Sequence, residues 1–206
     1  TDFGREIAEV TANILDATDM IRHKTLAYKG QLIGQLRISV VSTGKYVMPF
    51  FLSDFLYQHK GVDLLMDVTN RMKVMHDLEQ NQVDFALVSV LPEHLKVEQV
   101  ELLDNVLYLV GPQQPEKKVK KMNREMLQKL TFIYREEGSA TRQAMERFLA
   151  DHQYRVGKKI VLTSNEAVKQ AVIAGLGYSI MPLIGIRQEL QTGILKIYPV
   201  KDLPVK

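Results

Sequence analysis

The 206-residue chain is 46% hydrophobic and 25% charged, which is the balance of a globular protein able to bury one large core or two small ones. Its net charge of +3 is too small to predict nucleic-acid binding, and the absence of cysteine excludes disulfides and thiolate metal sites. No apolar run approaches the roughly 20 residues that a membrane-spanning helix needs, so we expect no membrane partner.

Residues 1–30 differ from the rest of the chain and form the first predicted element, a linker helix. Its apolar residues recur at alternating intervals of four and three, at Phe3, Ile7, Val10, Ile14, Ala17 and Ile21. We call these positions the heptad seam. Such a seam is typical of helices that pair as a coiled coil, so it predicts dimerisation of this chain. The alternative is an amphipathic helix that packs on its own domain.

Strand and helix patterns alternate from residue 35 onward. In the first half of the chain, strands are predicted at 36–41, 63–68, 84–88 and 103–111, and helices at 45–58 and 72–80. This succession implies right-handed crossovers and a parallel sheet. Aromatic and methionine residues on the two helices follow helical spacing and are predicted to pack in the core: Tyr46, Phe50, Phe51, Phe55, Tyr57, Met72 and Met75.

A polar, basic stretch at 112–121 interrupts the pattern, and we predict a solvated connection there rather than a phosphate-binding loop. Beyond it, strands are predicted at 131–134, 159–162, 178–181 and 194–200, and helices at 124–129, 139–152, 165–174 and 183–190. Two successive sets of strand and helix indicate an α/β fold with two Rossmann-like lobes and a cleft between them.

Hydroxyl and amide side chains follow three predicted strands, at the point where a helix begins. They are Ser42, Thr43, Ser139, Thr141 and Asn165. Ligands of open α/β sheets bind beyond the carboxyl ends of the strands, where the free N–H groups and the dipole of a helix N-terminus favour an anion. Because two lobes would direct these ends at one cleft, the sequence predicts a site for a small carboxylate or phosphate.

Residues beside these strand ends add charge and flexibility to the predicted site. Lys45 follows the first end, while Arg135 and Gly138 precede the hydroxyls of the second. At any one end, plain helix capping is the better explanation of the residues, and Thr163 with Glu166 has the spacing of a capping box. The prediction of a ligand site therefore depends on the ends acting together.

Catalytic and cofactor-binding patterns are missing from the sequence. The five histidines are scattered without the spacing of metal ligands, and there is no phosphate-binding loop, dinucleotide fingerprint or nucleophile elbow. We therefore predict no catalytic residue, no metal site and no cofactor. The sequence favours a binding module over an enzyme.

The chain resembles the LysR-type transcriptional regulators over nearly its whole length. The runs that carry this likeness are TDFGRE (1–6), GQLRI (34–38), LDN (103–105), LYLV (107–110) and AGLGYSIMP (174–182). Within that family it looks most like the regulators of carbon-fixation operons. The runs that carry the narrower likeness are VSTGKY (41–46), REEGSATRQAMERF (135–148) and SNEAVKQAV (164–172).

The resemblance implies a type 2 periplasmic-binding-protein-like fold, with lobe I at 34–111 and 182–206, and lobe II at 112–181. It implies an effector between the lobes, near Ser42 and Thr43 on one side and Gly138, Ser139 and Thr141 on the other. It also implies a cytoplasmic homodimer or homotetramer that reaches promoter DNA through a winged helix-turn-helix domain, which this chain lacks. The family's final strand and helix are likewise expected beyond Lys206.

Two other functions remain open at this point. A solute-binding protein for transport of a small anion has the same fold and the same strand ends, but such receptors act as monomers and have no use for a heptad seam. An enzyme on a two-lobed scaffold needs an acid/base pair near the cleft, and the sequence shows none there.

Overall fold

The computed structural model of the chain describes residues 1–28, 32–90, 95–113 and 122–205. Helix α1 (Asp2–Tyr28) comes first, where the linker helix is predicted; residues 29 and 30 lie outside the described residues. Most of the predicted connection 112–121 also lies outside them, from residue 114 onward. None of the helices in the described part of the chain is both long and apolar enough to cross a membrane.

The heptad seam on α1 faces solvent in the single chain. The side chains of Phe3, Ile7, Val10, Ile14 and Ile21 are between 49% and 72% exposed. The seam therefore does not pack on its own domain, which was the alternative to self-pairing. Pairing with a second copy stays a prediction.

The first lobe is a parallel sheet with helices at its strand ends. Its elements are β1 (Ile33–Val41), α2 (Met48–Gln58), β2 (Gly61–Thr69), α3 (Arg71–Glu79) and β3 (Phe85–Leu87). The strand order is β2-β1-β3, and both pairings are parallel, as the predicted crossovers require. The predicted helix 45–58 is divided: a 3₁₀ turn spans Gly44–Tyr46, and α2 begins after Val47, whose backbone is not helical.

In its described residues, the second lobe contains two small sheets and four helices. Its elements are β4 (Leu107–Pro112), α4 (Arg124–Gln128), β5 (Thr131–Arg135), α5 (Ala140–Asp151), β6 (Lys158–Leu162), α6 (Asn165–Ile173), β7 (Ser179–Pro182), α7 (Arg187–Gln191) and β8 (Leu195–Ile197). β5 and β6 pair in parallel, and β7-β4-β8 is antiparallel. A bridge between Phe132 and Tyr178 brings β5 beside the start of β7, so the two sheets adjoin.

The closing segment departs from the predicted division of the chain. β8 pairs with β4, and Val205 forms a bridge with Leu107. Tyr198 and Val200 are buried in the same core cluster as Phe132. The predicted return of 182–206 to lobe I is therefore corrected, and β4 lies in the second lobe with it. The pairing joins distant parts of the chain, which no local pattern encodes.

Several side chains predicted to lie in the core are exposed. Met75 is buried, and Phe55 is half-buried, but Phe50, Tyr57 and Met72 are more than 60% exposed. Helical spacing identifies an apolar face, but it does not say how much of that face meets the sheet.

His152 joins the end of α5 to the closing segment. Its Nδ1 lies 2.9 Å from the carbonyl oxygen of Phe148, and its Nε2 lies 2.8 Å from Asp202 Oδ2. Both neighbours are hydrogen-bond acceptors, so the doubly protonated ring satisfies both at once. The hydrogen bond to Asp202, together with that to Phe148, raises the pKa of His152 above its usual value.

Replacing Asp202 with asparagine is expected to destabilise the fold at about pH 5.5 but not at about pH 9. Stabilisation from a raised pKa is complete below the unfolded-state pKa, about 6.5, and is lost as the pH rises through the folded-state pKa. Because Asp202 is half exposed, the effect should not exceed about 1 kcal/mol. Urea unfolding at both pH values measures it, and the same substitution in a His152→Gln background is the control. An equal loss at both pH values would contradict the expectation.

Candidate functional site

The predicted strand ends meet at one cavity between the two lobes. Six of the eight predicted site residues line it: Ser42, Thr43, Arg135, Ser139, Thr141 and Asn165. The first two follow β1 in the first lobe, and the others lie at the end of β5 and the starts of α5 and α6 in the second. The cavity volume is about 10 Å³, which is room for about one water molecule. A metabolite therefore requires the lobes or their side chains to move apart.

Three polar residues that the sequence analysis missed also line the cavity: Asn70, Arg71 and Ser89. Asn70 follows β2 and caps α3, since its Oδ1 accepts a hydrogen bond from the backbone N–H of Lys73 at 3.0 Å. Ser89 comes shortly after β3. The signal that would have found them is the one used elsewhere, a polar residue after a strand, applied to the second and third strands.

Two predicted residues do not line the cavity. The ammonium of Lys45 lies 3.9 Å from Glu166 Oε2 and 5.0 Å from the centre of the Tyr46 ring, and burial lowers the pKa of Lys45. Gly138 has a φ of +83°, and a Cβ there would lie 2.6 Å from Met72 Sδ. Glycine is therefore required here, because the turn has a positive φ and α3 packs closely against it. This is a packing role.

Plain capping does not account for the hydroxyls at the cavity. Ser139 precedes α5 and Thr43 precedes the 3₁₀ turn, yet neither side chain bonds to its own helix. The cap of α6 is Ser164, whose Oγ accepts from the N–H of Ala167 at 3.0 Å, so the predicted capping box at Thr163 is wrong. Across the cleft, the backbone N–H of Asn165 donates to Ser42 Oγ at 3.4 Å. The hydroxyls of Ser139 and Thr43 are therefore not used as helix caps.

Arg135 is held within the second lobe. It is 4% exposed, and its Nε and Nη2 each donate to a carboxylate oxygen of Glu136 at 2.7 Å. Its Nη1 donates to the Oδ1 of Asn165. The neighbouring carboxylate therefore neutralises this guanidinium, which in turn fixes the amide of Asn165.

Two buried donors at the cavity have no hydrogen-bond partner among the described residues. They are Nε of Arg71, from the first lobe, and Nδ2 of Asn165, from the second. A buried donor without an acceptor costs about 1–3 kcal/mol, so such groups are rare outside binding sites and strained regions. An acceptor placed between the lobes would satisfy both donors.

A second set of contacts joins the lobes beside the cavity. Tyr46 donates from its hydroxyl to Glu166 Oε2 at 3.2 Å, and burial raises the pKa of Tyr46. Lys169 lies 3.1 Å from the same carboxylate and 2.7 Å from Glu189 Oε1. Burial alone would raise the pKa of Glu166, but hydrogen bonds from Gln170 and Lys169 lower it. This carboxylate is therefore ionised and committed to these partners.

Within the part of the chain that the structure describes, no group of three or more histidine, aspartate or glutamate side chains is arranged to hold a metal ion. The cavity is instead lined by hydroxyl, amide and guanidinium groups. Such groups donate hydrogen bonds to oxygen atoms, and the guanidinium groups of Arg71 and Arg135 carry positive charge. The chemistry that the cavity offers is recognition of an anion or a polar oxygen.

Comparison with known proteins identifies close relatives. The family model of the LysR substrate binding domain matches residues 29–206. The RuBisCO operon transcriptional regulator of Allochromatium vinosum is 37% identical over 99% of this chain and 68% of its own length. The transcriptional activator CmpR of Synechocystis is 31% identical over 100% of this chain and 68% of its own length. The chain thus spans about two thirds of these relatives.

Among solved structures, the regulatory domain of CcmR from Synechocystis PCC6803, in complex with 2-PG, is similar in both sequence and fold. It has 31% sequence identity and a TM-score of 0.75, and the match covers 83% of each chain.

Proposed function

Because the chain belongs to the LysR substrate-binding-domain family, we propose that a small anionic metabolite binds in its inter-lobe cavity and changes the angle between the lobes. The chain is the effector-binding domain of a LysR-type transcriptional regulator, as the sequence resemblance predicts. The predicted two-lobed, periplasmic-binding-protein-like fold is confirmed. A transport receptor, the alternative, is not favoured, because the relatives regulate transcription.

One observation carries the proposal: hydroxyl, amide and guanidinium groups from both lobes line a single cavity. Two of its walls are the N-terminal ends of α5 and α6, where the helix dipole stabilises negative charge. A ligand that touches both lobes shifts their arrangement as far as it prefers one arrangement over the other. The similar CcmR domain binds 2-PG, so 2-PG is the first compound to test.

The proposal extends to the whole regulator. We expect copies to assemble as cytoplasmic homodimers or homotetramers through the exposed heptad seam of α1. Contact with promoter DNA is assigned to a winged helix-turn-helix domain outside this chain, in keeping with the HTH-type name of the relative CmpR. Catalysis and a cofactor form no part of the proposed function, since the relatives are regulators and the sequence holds no catalytic pattern.

Replacing both Thr43 and Ser139 with alanine is expected to weaken 2-PG binding by at least about tenfold, because each hydroxyl bond to a charged ligand contributes roughly 1.5–3 kcal/mol. Titration calorimetry measures the affinity, and a thermal-shift screen of 2-PG, inorganic phosphate and acetate tests other anions, since a bound ligand raises apparent stability. Ser53→Ala, on exposed α2, is the matched control. Undiminished binding by the double variant would place the site elsewhere, and failure of every anion would refute the proposed function.

A further inference from the structure

We infer that Arg71, and not Arg135, supplies the positive charge that recognises the effector, and that Arg71 Nε and Asn165 Nδ2 are a donor pair bridged by the effector's anionic group. This inference rests on the proposed function and names the residues on which the ligand's charge is recognised. Arg71 was not among the sequence-predicted site residues. It is found only from its place in the cavity.

Arg135 has the position of an anion ligand but not the free charge of one. The Glu136 carboxylate accepts two hydrogen bonds from its guanidinium at 2.7 Å, and the remaining described contact is to Asn165. An effector anion at this guanidinium would have to compete with a carboxylate that is part of the protein. Arg135 is therefore a positioning residue, which orients the Asn165 amide so that its oxygen is used and its Nδ2 is left for the ligand.

The other cations near the cavity are also compensated. Lys45 and Lys169 both lie within 4 Å of Glu166, and Lys169 is paired with Glu189 as well. These ammonium groups belong to the contacts beside the cavity. Neither lines the cavity itself.

Arg71 differs from these other cations in its position and in its partners. It is the first residue of α3, it lines the cavity, and its Nη1 donates to the neutral Gln143 Oε1 of the second lobe at 3.3 Å. No carboxylate among the described residues forms an ion pair with it. Its Nε is buried and has no acceptor among the residues that the structure describes. Arg71 thus combines an uncompensated charge with an unused donor at the position where the lobes meet.

The donor pair explains how a ligand can be sensed as well as held. Arg71 belongs to the first lobe and Asn165 to the second, and Asn165 is 1% exposed. A charged oxygen that accepts from both stabilises only arrangements in which the two lobes are close. A neutral ligand gains less, because charge-assisted hydrogen bonds are roughly twice as strong as neutral ones. The effector is therefore expected to place a phosphate or carboxylate oxygen between these two donors.

The test compares Arg71→Gln with Arg187→Gln in the whole chain, with 2-PG as ligand. Arg187 is the first residue of α7, as Arg71 is of α3, but it is exposed and does not line the cavity. Calorimetry at two ionic strengths gives the dissociation constants, and thermal unfolding checks the fold. Arg71→Gln should weaken binding by about 10- to 100-fold and reduce its salt dependence, whereas Arg187→Gln should leave both unchanged. Arg71→Lys should keep the salt dependence while losing affinity.

Each other outcome overturns the inference. If Arg71→Gln binds 2-PG as the control does while the Thr43 and Ser139 variants are weakened, the proposed function stands and the role of Arg71 falls. If Arg71→Gln and Arg71→Lys lose affinity equally and unfold earlier, the residue is structural only. If the unaltered chain binds neither 2-PG, inorganic phosphate nor acetate, the inference falls with the proposed function.

Discussion

Replacing Arg135 with methionine is expected to lower the free energy of unfolding by about 3 kcal/mol, because it leaves Glu136 without its partner inside the second lobe. The arginine side chain is 4% exposed and the glutamate side chain 17%. Removing one member of such a pair costs far more than the pair itself contributes, since the remaining charge has limited contact with water and no counter-ion. Asn165 Oδ1 also loses a donor.

Urea unfolding at constant pH measures this loss. The matched control is Arg142→Met, whose partner Glu146 also lies at 2.7 Å but whose side chains are 19% and 44% exposed. There we expect a change of less than about 1 kcal/mol, as for other solvated pairs. The double variant Arg135→Met with Glu136→Gln should recover part of the stability, because no unpaired charge then remains. Equal losses for Arg135→Met and Arg142→Met would show that Glu136 finds another counter-charge.

The part of the site that was predictable depends on local patterns. Ser42, Ser139 and Asn165 were found because a strand, a polar residue and a helix follow one another in sequence, and two lobes bring such ends together. Arg71 was missed by the same logic. The helix was predicted to begin at Met72 and begins at Arg71, so the arginine was not recognised as part of a strand end.

The rest of the site depends on which partner each charged side chain selects, and no local pattern identifies that partner. Lys45 was predicted to face the ligand because it follows a strand end, yet its charge is directed to Glu166 of the other lobe. Nothing in the sequence near Arg135 says that Glu136, rather than a ligand, accepts from its guanidinium. Burial and side-chain geometry decide which partner each charged side chain bonds to, and both depend on how the two lobes pack together.

The fold shows the same division between local and long-range information. Alternating strands and helices gave the two lobes, and the parallel pairing of β1 with β2 and β3 followed from their order. The resemblance assigns the closing segment to lobe I, but its Tyr198 and Val200 are buried in one core cluster with Phe132 of the second lobe. A short strand such as β8 can pair with any free edge, so its hydrophobic pattern does not identify its neighbour.

Replacing Ile14 with glutamate on α1 is expected to convert a self-associating chain into a monomer at micromolar concentration. Ile14 belongs to the heptad seam, so pairing of two copies buries it, and an acid there brings a charge into an apolar interface. Sedimentation or light scattering measures the change in mass. The unaltered chain is expected to be at least a dimer under the same conditions.

Leu15→Glu is the control that separates pairing from any effect on the single helix. In the single chain Ile14 is 58% and Leu15 60% exposed, so the two substitutions remove equal apolar exposure and add the same charge to α1. The two residues lie on different faces of α1, because Leu15 is outside the seam and points away from a paired helix. Leu15→Glu should therefore keep the mass of the unaltered chain. If both variants remain associated, the lobes hold the copies together and the seam does not; if the unaltered chain is itself a monomer, the exposed seam has some other partner.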